Sequence, residues 1–402
     1  MSSAAGYSRN LLIYCYKEMV KALDRAYTLK EQKEKKRSDV ISVGAMDYTL
    51  LLVVIILGLI GVVMVFSSSY MRANTSLGDP FYYLKRQGTF FVMGLTGLLI
   101  MANINYQYIR RLAFFIYLIA NVLLVLVLII GISSHGATRW IPMPVIGQFQ
   151  PSEVAKAGVI FFLSFLISSN KNILVKWPSF LACCGVAAFT SVLVFLGNNM
   201  STAIIVMIIG IGIIFTACPY IVRFVVAGCA GVAGILGYLL LSKDFRADRL
   251  EAFLNPFEYQ LSIGFQIIQS LYAIASGGMF GLGLGQSRQK TFLPEAHNDI
   301  IFSIICEELG FIGAAAVLLL FGILIWRGIK IAMNAPDIFS SLTAMGIMIL
   351  FSSQVLINVA VVTNSIPNTG VPLPLISYGG TSLLVAMSLL GVLLNISRCS
   401  KG

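Results

Sequence analysis

The first long apolar stretch of the chain decides the fold class. Residues 48–68 read YTLLLVVIILGLIGVVMVFSS and contain no charged side chain. An α-helix needs about 20 such residues to cross a hydrocarbon core of about 30 Å. Comparable stretches recur to the C-terminus, and the whole chain is 58% hydrophobic and only 11% charged, against about 25% charged in soluble proteins. The sequence therefore predicts a polytopic membrane protein.

Ten such stretches can be counted, and all are predicted to be helices. Backbone groups in lipid must be satisfied within a segment or a closed barrel, and these stretches lack the alternating pattern of barrel strands. The predicted spans are residues 48–68, 87–104, 112–132, 153–169, 179–197, 202–218, 221–241, 300–326, 339–362 and 381–396. They form one all-α domain over residues 47–397.

Basic residues set the predicted orientation, because short cytoplasmic loops collect Lys and Arg. Residues 1–46 form a basic segment, which we expect to lie in the cytoplasm close to anionic headgroups. Alternate loops carry the basic residues Arg110, Arg111, Lys171, Lys176, Arg223, Arg327, Lys330, Arg398 and Lys401. Both termini are therefore predicted to be cytoplasmic, with a short tail at 398–402. No cleavable signal is expected, since the first span has full membrane length and no small-residue cleavage site.

Three loops, 131–152, 242–298 and 363–380, are predicted on the outer side. The second far exceeds the ~12–15 residues beyond which structureless loops are uncommon, so we expect it to be partly folded and functional. The outer side also carries basic residues that the orientation rule would not place there: Arg139, Lys156, Lys243, Arg246, Arg249, Arg288 and Lys290. They indicate an anionic ligand such as a lipid diphosphate. Ion pairs with nearby Asp and Glu residues are the alternative.

Two groups of charged residues lie at membrane boundaries, where a charge is costly and usually marks function or a paired structural site. Glu153 and Lys156 open the fourth span at a spacing that puts them on one helical face. Glu295, His297 and Asp299 precede the eighth span. A carboxylate at a helix N-terminus is stabilised by the helix dipole, so a capping role for Asp299 is the alternative to a catalytic one.

Glu307 and Glu308 lie further along the eighth span. At 1.5 Å per residue they are about 12–13.5 Å beyond Asp299, so we expect them to tie helices together, paired or protonated. The motif SRQK at 287–290 matches a penicillin-binding pattern by chance, because its companion motifs are absent. The glycine run GLGLG at 281–285 lacks the spacing of a dinucleotide-binding loop and is interpreted as a flexible or tightly packed loop.

A series of motifs resembles the SEDS family of shape, elongation, division and sporulation proteins. The motifs are GATRWI at 136–141, QPSEVAK at 150–156, Arg249 with Phe253 and Pro256, QS at 269–270, SGG at 276–278, GLGLG at 281–285, LPEAHND at 293–299, EELG at 307–310, TGVPLP at 369–374 and SYGGT at 377–381. The match covers nearly all of the chain from Tyr48 onward. Residues 358–370 look more like the division and sporulation branch than the elongation branch.

The resemblance implies a ten-helix peptidoglycan glycosyltransferase of the bacterial cytoplasmic membrane. Its substrate would be lipid II, the undecaprenyl-diphosphate-linked disaccharide pentapeptide, and its partners a class B penicillin-binding transpeptidase and other division or sporulation proteins. Nucleic acid is not expected as a partner. Asp299 is the implied catalytic base. The resemblance implies that Arg139, Trp140, Glu153 and Lys156 lie around the substrate cavity. Our interpretation of the motifs and charged residues adds Arg249, Lys290, Glu295 and His297.

Glycosyl transfer from a lipid diphosphate needs a base for the acceptor hydroxyl and cations for the departing diphosphate. Arg and Lys residues, or a divalent ion such as Mg²⁺ or Mn²⁺, can supply the cationic part; no cofactor is certain. The loop at 196–202 departs from the family pattern, because Gly197 and Asn198 replace a more charged, proline-containing sequence. A lipid flippase and a non-catalytic scaffold of the division complex are the two other functions that we consider.

Overall fold

Nine of the ten long helices in the described residues follow predicted spans, and the other, Phe265–Gly277, lies within the predicted outer loop 242–298. The computed structural model describes residues 44–134, 137–143, 147–170, 173–218, 220, 222–224, 253–259, 264–293 and 295–399. Its helices are α1 (Tyr48–Leu77), α2 (Tyr82–Asn103), α3 (Tyr106–Ile130), α4 (Pro151–Ser169), α5 (Trp177–Leu196), α6 (Met200–Ala217), α7 (Phe265–Gly277), α8 (Ile301–Met333), α9 (Ile338–Val362) and α10 (Gly380–Cys399). Eight helices in this described part are long and apolar enough to cross a membrane. The multi-pass all-α fold is confirmed.

Several boundaries differ from the prediction. α1 runs beyond Ser68 to Leu77, and α8 runs beyond Trp326 to Met333. The predicted tail at 398–402 begins later than expected, because α10 continues to Cys399. Most of the basic N-terminal segment, most of the predicted seventh span, and Lys243, Arg246 and Arg249 lie outside the described residues.

The cytoplasmic end of the bundle is closed by paired polar groups. Arg327 at the end of α8 forms a 2.7 Å ion pair with Asp47, which caps α1. The hydroxyl of Tyr106 donates to Asp337 at 3.0 Å, and the side-chain amide of Asn395 donates to the carbonyl of Ala102 at 2.8 Å. These contacts gather the ends of α1, α2, α3, α8, α9 and α10 at one end of the bundle, the end that the basic residues predict to be cytoplasmic.

Small residues let helices approach closely within the bundle. α2 packs along α10, and a methyl group added at Gly391 would come within 2.9 Å of the Leu98 backbone. Likewise, one added at Gly158 of α4 would meet the backbone of Tyr117 in α3 at 3.2 Å. Such close approach is the usual basis of helix association in lipid, where apolar burial gives no advantage.

The first outer loop contains a small sheet that was not predicted. Strands β1 (Ile132–Ser134), β2 (Ala137–Met143) and β3 (Gly147–Phe149) form an antiparallel meander in the order β1-β2-β3. Trp140 lies opposite Ile132, and Ile141 lies opposite Phe149. The sheet leads directly into α4 and so fixes where Glu153 and Lys156 begin that helix.

A break divides α8 near its outer end. Gly310 has φ 68° and ψ −170°, which is not helical and is open almost only to glycine. Four backbone groups that a continuous helix would pair across the break are paired instead with residues 278–283. The carbonyls of Glu307 and Glu308 accept from Leu282 and Gly283, and the N–H groups of Phe311 and Ile312 donate to Gly278 and Met279, all at 2.9–3.2 Å. Gly281 of the glycine run thus packs tightly against the backbone at the break, whereas residues 282–285 of the run are exposed.

Candidate active site

Asp299 lies in the turn that precedes α8, at the outer end of the bundle. The N-cap position of the helix is Ile300, whose side chain makes no capping hydrogen bond, so Asp299 stands one residue outside the cap. The carbonyl of Asp299 accepts from the side-chain amide of Asn358 at 2.6 Å. Its side chain is partly exposed and faces Gly370, where an added methyl group would lie 3.5 Å from Asp299 Oδ2.

Asn358 joins three elements at this point. The buried amide group also donates to the carbonyl of Val371 at 2.8 Å. One side chain of α9 therefore holds both the Asp299 turn and the third outer loop. Gly370 has φ +66°, a conformation that favours glycine, and its lack of a side chain leaves room beside the Asp299 carboxylate.

An aromatic group packs behind the Asp299 turn. The ring of His297 lies 4.4 Å from that of Tyr83 and 5.3 Å from that of Tyr378, between centroids. The backbone N–H of Tyr378 donates to the carbonyl of His297 at 2.9 Å. Burial lowers the pKa of His297 to about 4, and the positive charge of Arg72 acts in the same direction. The lowered pKa favours the uncharged imidazole at neutral pH, which makes His297 a poor candidate for a phosphate-binding cation.

Glu295 connects the same turn to α1. Its carboxylate lies 3.6 Å from the guanidinium of Arg72 and accepts from the side-chain amide of Asn298. Glu295 has φ 57°, which is uncommon for a residue with a side chain. This pairing holds Glu295 beside the turn, with its side chain partly exposed to the outer surface.

The predicted Glu153–Lys156 pair is present and buried. Lys156 Nζ lies 2.8 Å from Glu153 Oε1, and Lys156 is only 2% exposed. Pro151 occupies the first turn of α4, and Glu153 lies at the positive end of that helix, which favours a carboxylate. A buried pair of this kind is costly to assemble and gives little net stability, so its presence at the outer end is consistent with a role in function.

A chain of contacts links Arg139 to the Asp299 site. The guanidinium of Arg139 donates to the carbonyl of Asn198 at 2.9 Å. Ser201, in the next turn, donates its hydroxyl to the carbonyl of Thr369, the neighbour of Gly370. The loop at 196–202, where the sequence departs from the family pattern, therefore connects the small sheet to the loop that faces Asp299. Trp140, next to Arg139, is partly exposed.

Glu307, Glu308 and Lys290 form a second polar cluster, at the break in α8. Both glutamates are buried. Glu307 accepts from the backbone N–H of Arg288 at 2.9 Å and from the hydroxyl of Ser287. Glu308 accepts from Ser67 of α1 at 2.6 Å and lies 3.2 Å from Lys290 Nζ. The segment SRQK therefore has a structural role, because it contacts both carboxylates.

The two glutamates lie close to the outer boundary of the membrane. About 28 Å of helix separates Arg327, at the cytoplasmic boundary, from Glu308, and the hydrocarbon core is about 30 Å thick. The glutamates therefore lie near the outer end of the span rather than midway along it. They tie α1, α8 and the loop at 278–293 together, as predicted. Lys290, interpreted as a ligand-binding residue, has its charge turned inward to Glu308, with the side chain 7% exposed.

Comparison with known proteins identifies the family. The family model described as "Cell cycle protein", which covers FtsW, RodA and SpoVE, matches residues 47–402. The chain belongs to this family. Stage V sporulation protein E of Bacillus subtilis is 42% identical over 361 residues, covering 88% of this chain and 98% of that protein. A probable peptidoglycan glycosyltransferase FtsW of Trichlorobacter lovleyi is 40% identical over 355 residues, covering 87% and 93%.

Solved structures support the same assignment. A chain of a peptidoglycan synthase complex, described as coordinating polymerization and crosslinking, aligns with a TM-score of 0.74 at 26% identity, covering 88% of this chain and 98% of that chain. The crystal structure of the rod shape determining protein RodA of Thermus thermophilus aligns with a TM-score of 0.66 at 25% identity, covering 88% and 97%.

The sequence interpretation missed residues that act through long-range contacts. Asn358 was noted only within the segment that distinguishes the family branches, and Tyr378 only within the SYGGT motif. Arg72 and Tyr83 were not singled out. A signal for Arg72 existed, since it is a further basic residue on the outer side of the membrane. Among the described residues, no group of three His, Cys, Asp or Glu side chains is arranged to hold a metal ion.

Proposed function

We propose that the chain is a peptidoglycan glycosyltransferase that polymerises lipid II at the outer face of the cytoplasmic membrane, with Asp299 as the general base. The relatives named as peptidoglycan glycosyltransferases support the reaction class. The observation that carries the residue assignment is the placement of Asp299. Its backbone is held by Asn358 at 2.6 Å, while its carboxylate lies outside the helix cap, beside Gly370, on the outer side.

The proposed reaction is an inverting transfer. The 4-hydroxyl of an acceptor lipid II attacks the anomeric carbon of the growing chain, and the bond from that carbon to the diphosphate oxygen breaks. The hydroxyl proton passes to the Asp299 carboxylate, and the lipid diphosphate leaves with the electron pair. A positioned base of this kind contributes about 10²–10⁴-fold in rate.

Charge on the departing diphosphate must be balanced by cations. Arg139 and Lys156 are candidates from the first outer loop and α4, and Arg249 is a candidate that lies outside the described residues. A divalent ion such as Mg²⁺ or Mn²⁺ is a further candidate. Mg²⁺ bound through substrate phosphates needs only one or two protein carboxylates, and Asp299 and Glu153 are of the required chemistry.

A lipid flippase is the second function considered. Transporter sites lie near the bilayer midplane, between helices that carry the binding groups. In the described residues the buried charges lie toward the ends of the bundle instead: Glu153, Lys156, Glu307 and Glu308 at the outer end and Arg223 at the cytoplasmic end. This distribution favours chemistry at the outer surface over transport across the bilayer.

The partner is proposed to be a class B penicillin-binding transpeptidase. The solved synthase complex that this chain resembles is described as joining polymerization to crosslinking, and crosslinking is the reaction of a transpeptidase. Relatives that include a sporulation protein and proteins named FtsW match at similar identity, which supports division or sporulation as the proposed setting. A purified pair should polymerise lipid II faster than the chain alone; no acceleration by any class B candidate would argue against this partner.

The test of the enzyme proposal is polymerisation of lipid II by purified protein in detergent. No bilayer has to be crossed in this assay, so a flippase would give no product. Asp299→Asn keeps the size of the side chain and removes the base, and we expect the rate to fall at least about 100-fold. Asp79→Asn is a matched control, because Asp79 is an exposed carboxylate on the same side that pairs with Lys85. Full activity in Asp299→Asn would remove Asp299 from this role.

A further inference from the structure

Residues 265–293 do not form an ordinary aqueous loop, although they fall within the predicted outer loop 242–298. The stretch from Phe265 to Ser287 contains no Asp, Glu, Lys or Arg. It begins beside the third outer loop, where Gln266 accepts from Asn368 at 2.9 Å. It then descends as α7 along the first part of α8, until Gly277 packs against the backbone of Glu307, where an added methyl group would come within 2.9 Å of its Cα.

The lowest part of this element, residues 278–285, is called the tip. Its depth follows from the helix beside it, because the N–H groups of Phe311 and Ile312 donate to Gly278 and Met279. Sixteen residues of unbroken helix separate Phe311 from Arg327, which is about 24 Å. We take Arg327, which pairs with Asp47, as the cytoplasmic boundary, because it is one of the basic residues that orient the chain. A point 24 Å above that boundary lies inside a hydrocarbon core about 30 Å thick.

The side chains around the tip fit such a position. Phe280 is 83% exposed and Phe311 is 65% exposed. Met279, Leu284 and Ile312 are also exposed on the tip and the adjoining turn of α8. Exposed apolar side chains grouped in this way on a surface in water would mark an interaction site. Four backbone groups of the tip, the N–H groups of Leu282 and Gly283 and the carbonyls of Gly278 and Met279, pair with the broken helix, as backbone in lipid requires.

We propose that the tip is a re-entrant membrane element, with Phe280, Leu284 and Phe311 inserted into the hydrocarbon of the outer leaflet. The chain then turns back at the Glu307–Glu308–Lys290 cluster and rises to the Asp299 turn. The tip therefore anchors the loop that carries the candidate site at a fixed height above the hydrocarbon. This inference depends on the membrane fold and not on the proposed glycosyltransferase activity.

Tryptophan fluorescence of the full chain in nanodiscs tests the proposal. Phe280→Trp is compared with Leu319→Trp, on the lipid-facing side of the same helix bundle, and with Phe257→Trp, at an exposed position of the outer loop. The native tryptophan signal is subtracted with the unsubstituted chain. Quenchers are phosphatidylcholine brominated on the acyl chains and, separately, acrylamide in the water phase.

We expect brominated lipid to quench Phe280→Trp about as strongly as Leu319→Trp and several-fold more than Phe257→Trp. Strong quenching by acrylamide at the level of Phe257→Trp would place the tip in water and overturn the proposal. Protection from both quenchers would mean that a second copy of the chain covers the tip, which also overturns it. A second position, Leu284→Trp, must give the same pattern, so that a local disturbance at position 280 is not mistaken for the native placement of the tip.

Discussion

At the cytoplasmic end of the bundle, helices begin and end on ordinary caps and paired charges, whereas the outer end contains buried ion pairs and rare backbone conformations. Asp337 forms a capping box with Ser340, and Asp47 both caps α1 and pairs with Arg327. In the described residues, every non-glycine residue with positive φ lies at the outer end: Asn198, Glu295, Asn364 and Leu375.

The contrast extends to hydrogen bonding. Most of the buried side-chain atoms that have no hydrogen-bond partner within the described residues lie at the outer end, among them Gln87 Oε1 and Asn358 Oδ1. Strain and unpaired polar groups cost free energy and persist at sites where function requires them. The contacts at the cytoplasmic end therefore hold the bundle together, while the features of the outer end support the proposal that a ligand binds there. Matched substitutions at the two ends test this difference.

The largest effect is expected from opening the buried ion pair of the outer end. Lys156→Met leaves Glu153 buried without its cation, and we expect the free energy of unfolding to fall by about 3–5 kcal/mol. Arg327→Met, at the more exposed cytoplasmic pair, should cost about 1 kcal/mol. Reversible unfolding in mixed micelles measures both. Equal losses would contradict the distinction, and the double variant Glu153→Leu/Lys156→Met should recover most of the loss.

The next effect concerns the break in α8. Gly310→Ala places a methyl group 2.6 Å from the carbonyl oxygen of Met279 and forces a side chain into a backbone region open almost only to glycine, so we expect a loss of about 3 kcal/mol. Gly322→Ala is the matched control in the same helix, since an added methyl group there meets nothing within 4 Å. It should be neutral or stabilising by about 0.5–1 kcal/mol. If Gly310→Ala left the free energy of unfolding unchanged, the break in α8 would not be required for stability.

A smaller effect is expected from the burial of His297. Because its pKa falls from an ordinary 6.5 to about 4, protonation favours the unfolded chain. The neutral ring contributes its full stabilisation above pH 6.5, and this contribution is lost as the pH falls toward 4. At pH 5 the loss in the free energy of unfolding is about 2 kcal/mol. Thermal unfolding at pH 7 and pH 5 should show a smaller drop for His297→Gln than for the unsubstituted chain. The same drop in both would show that another group is responsible.

Local patterns explain what could be predicted from the sequence. Apolar length indicated the spans, basic residues indicated their orientation, and helical spacing indicated the Glu153–Lys156 pair, because each depends on neighbours a few positions away. The break at Gly310 could not be predicted in the same way, since its backbone partners come from residues 278–283. The role of Asn358 was equally hidden, because its contact with Asp299 crosses 59 positions of the chain. Asp299 itself was found through the resemblance and its place before a span.

The smallest effect is expected from replacing a buried asparagine at either end of the bundle. This pair of substitutions separates a loss of stability from a loss of catalytic rate. Asn358 donates to Asp299 and Val371 at the outer end, while Asn395 donates to Ala102 and accepts from the N–H of Tyr106 at the cytoplasmic end. Replacing either by Leu removes two buried hydrogen bonds, so both should lose a similar stability of about 1–3 kcal/mol.

Only Asn358→Leu should also slow polymerisation by the protein that remains folded. The Asp299 turn would lose the contact that fixes its backbone, and a displacement of the base should lower kcat about tenfold, which is about 1.4 kcal/mol, with KM little changed. Asn395→Leu should keep its kcat. Rates are compared after correction for the folded fraction at a temperature well below both unfolding transitions. If the two variants lost activity only in proportion to stability, Asn358 would be a structural residue like Asn395, and the outer end would differ from the cytoplasmic end in strain but not in the positioning of a base.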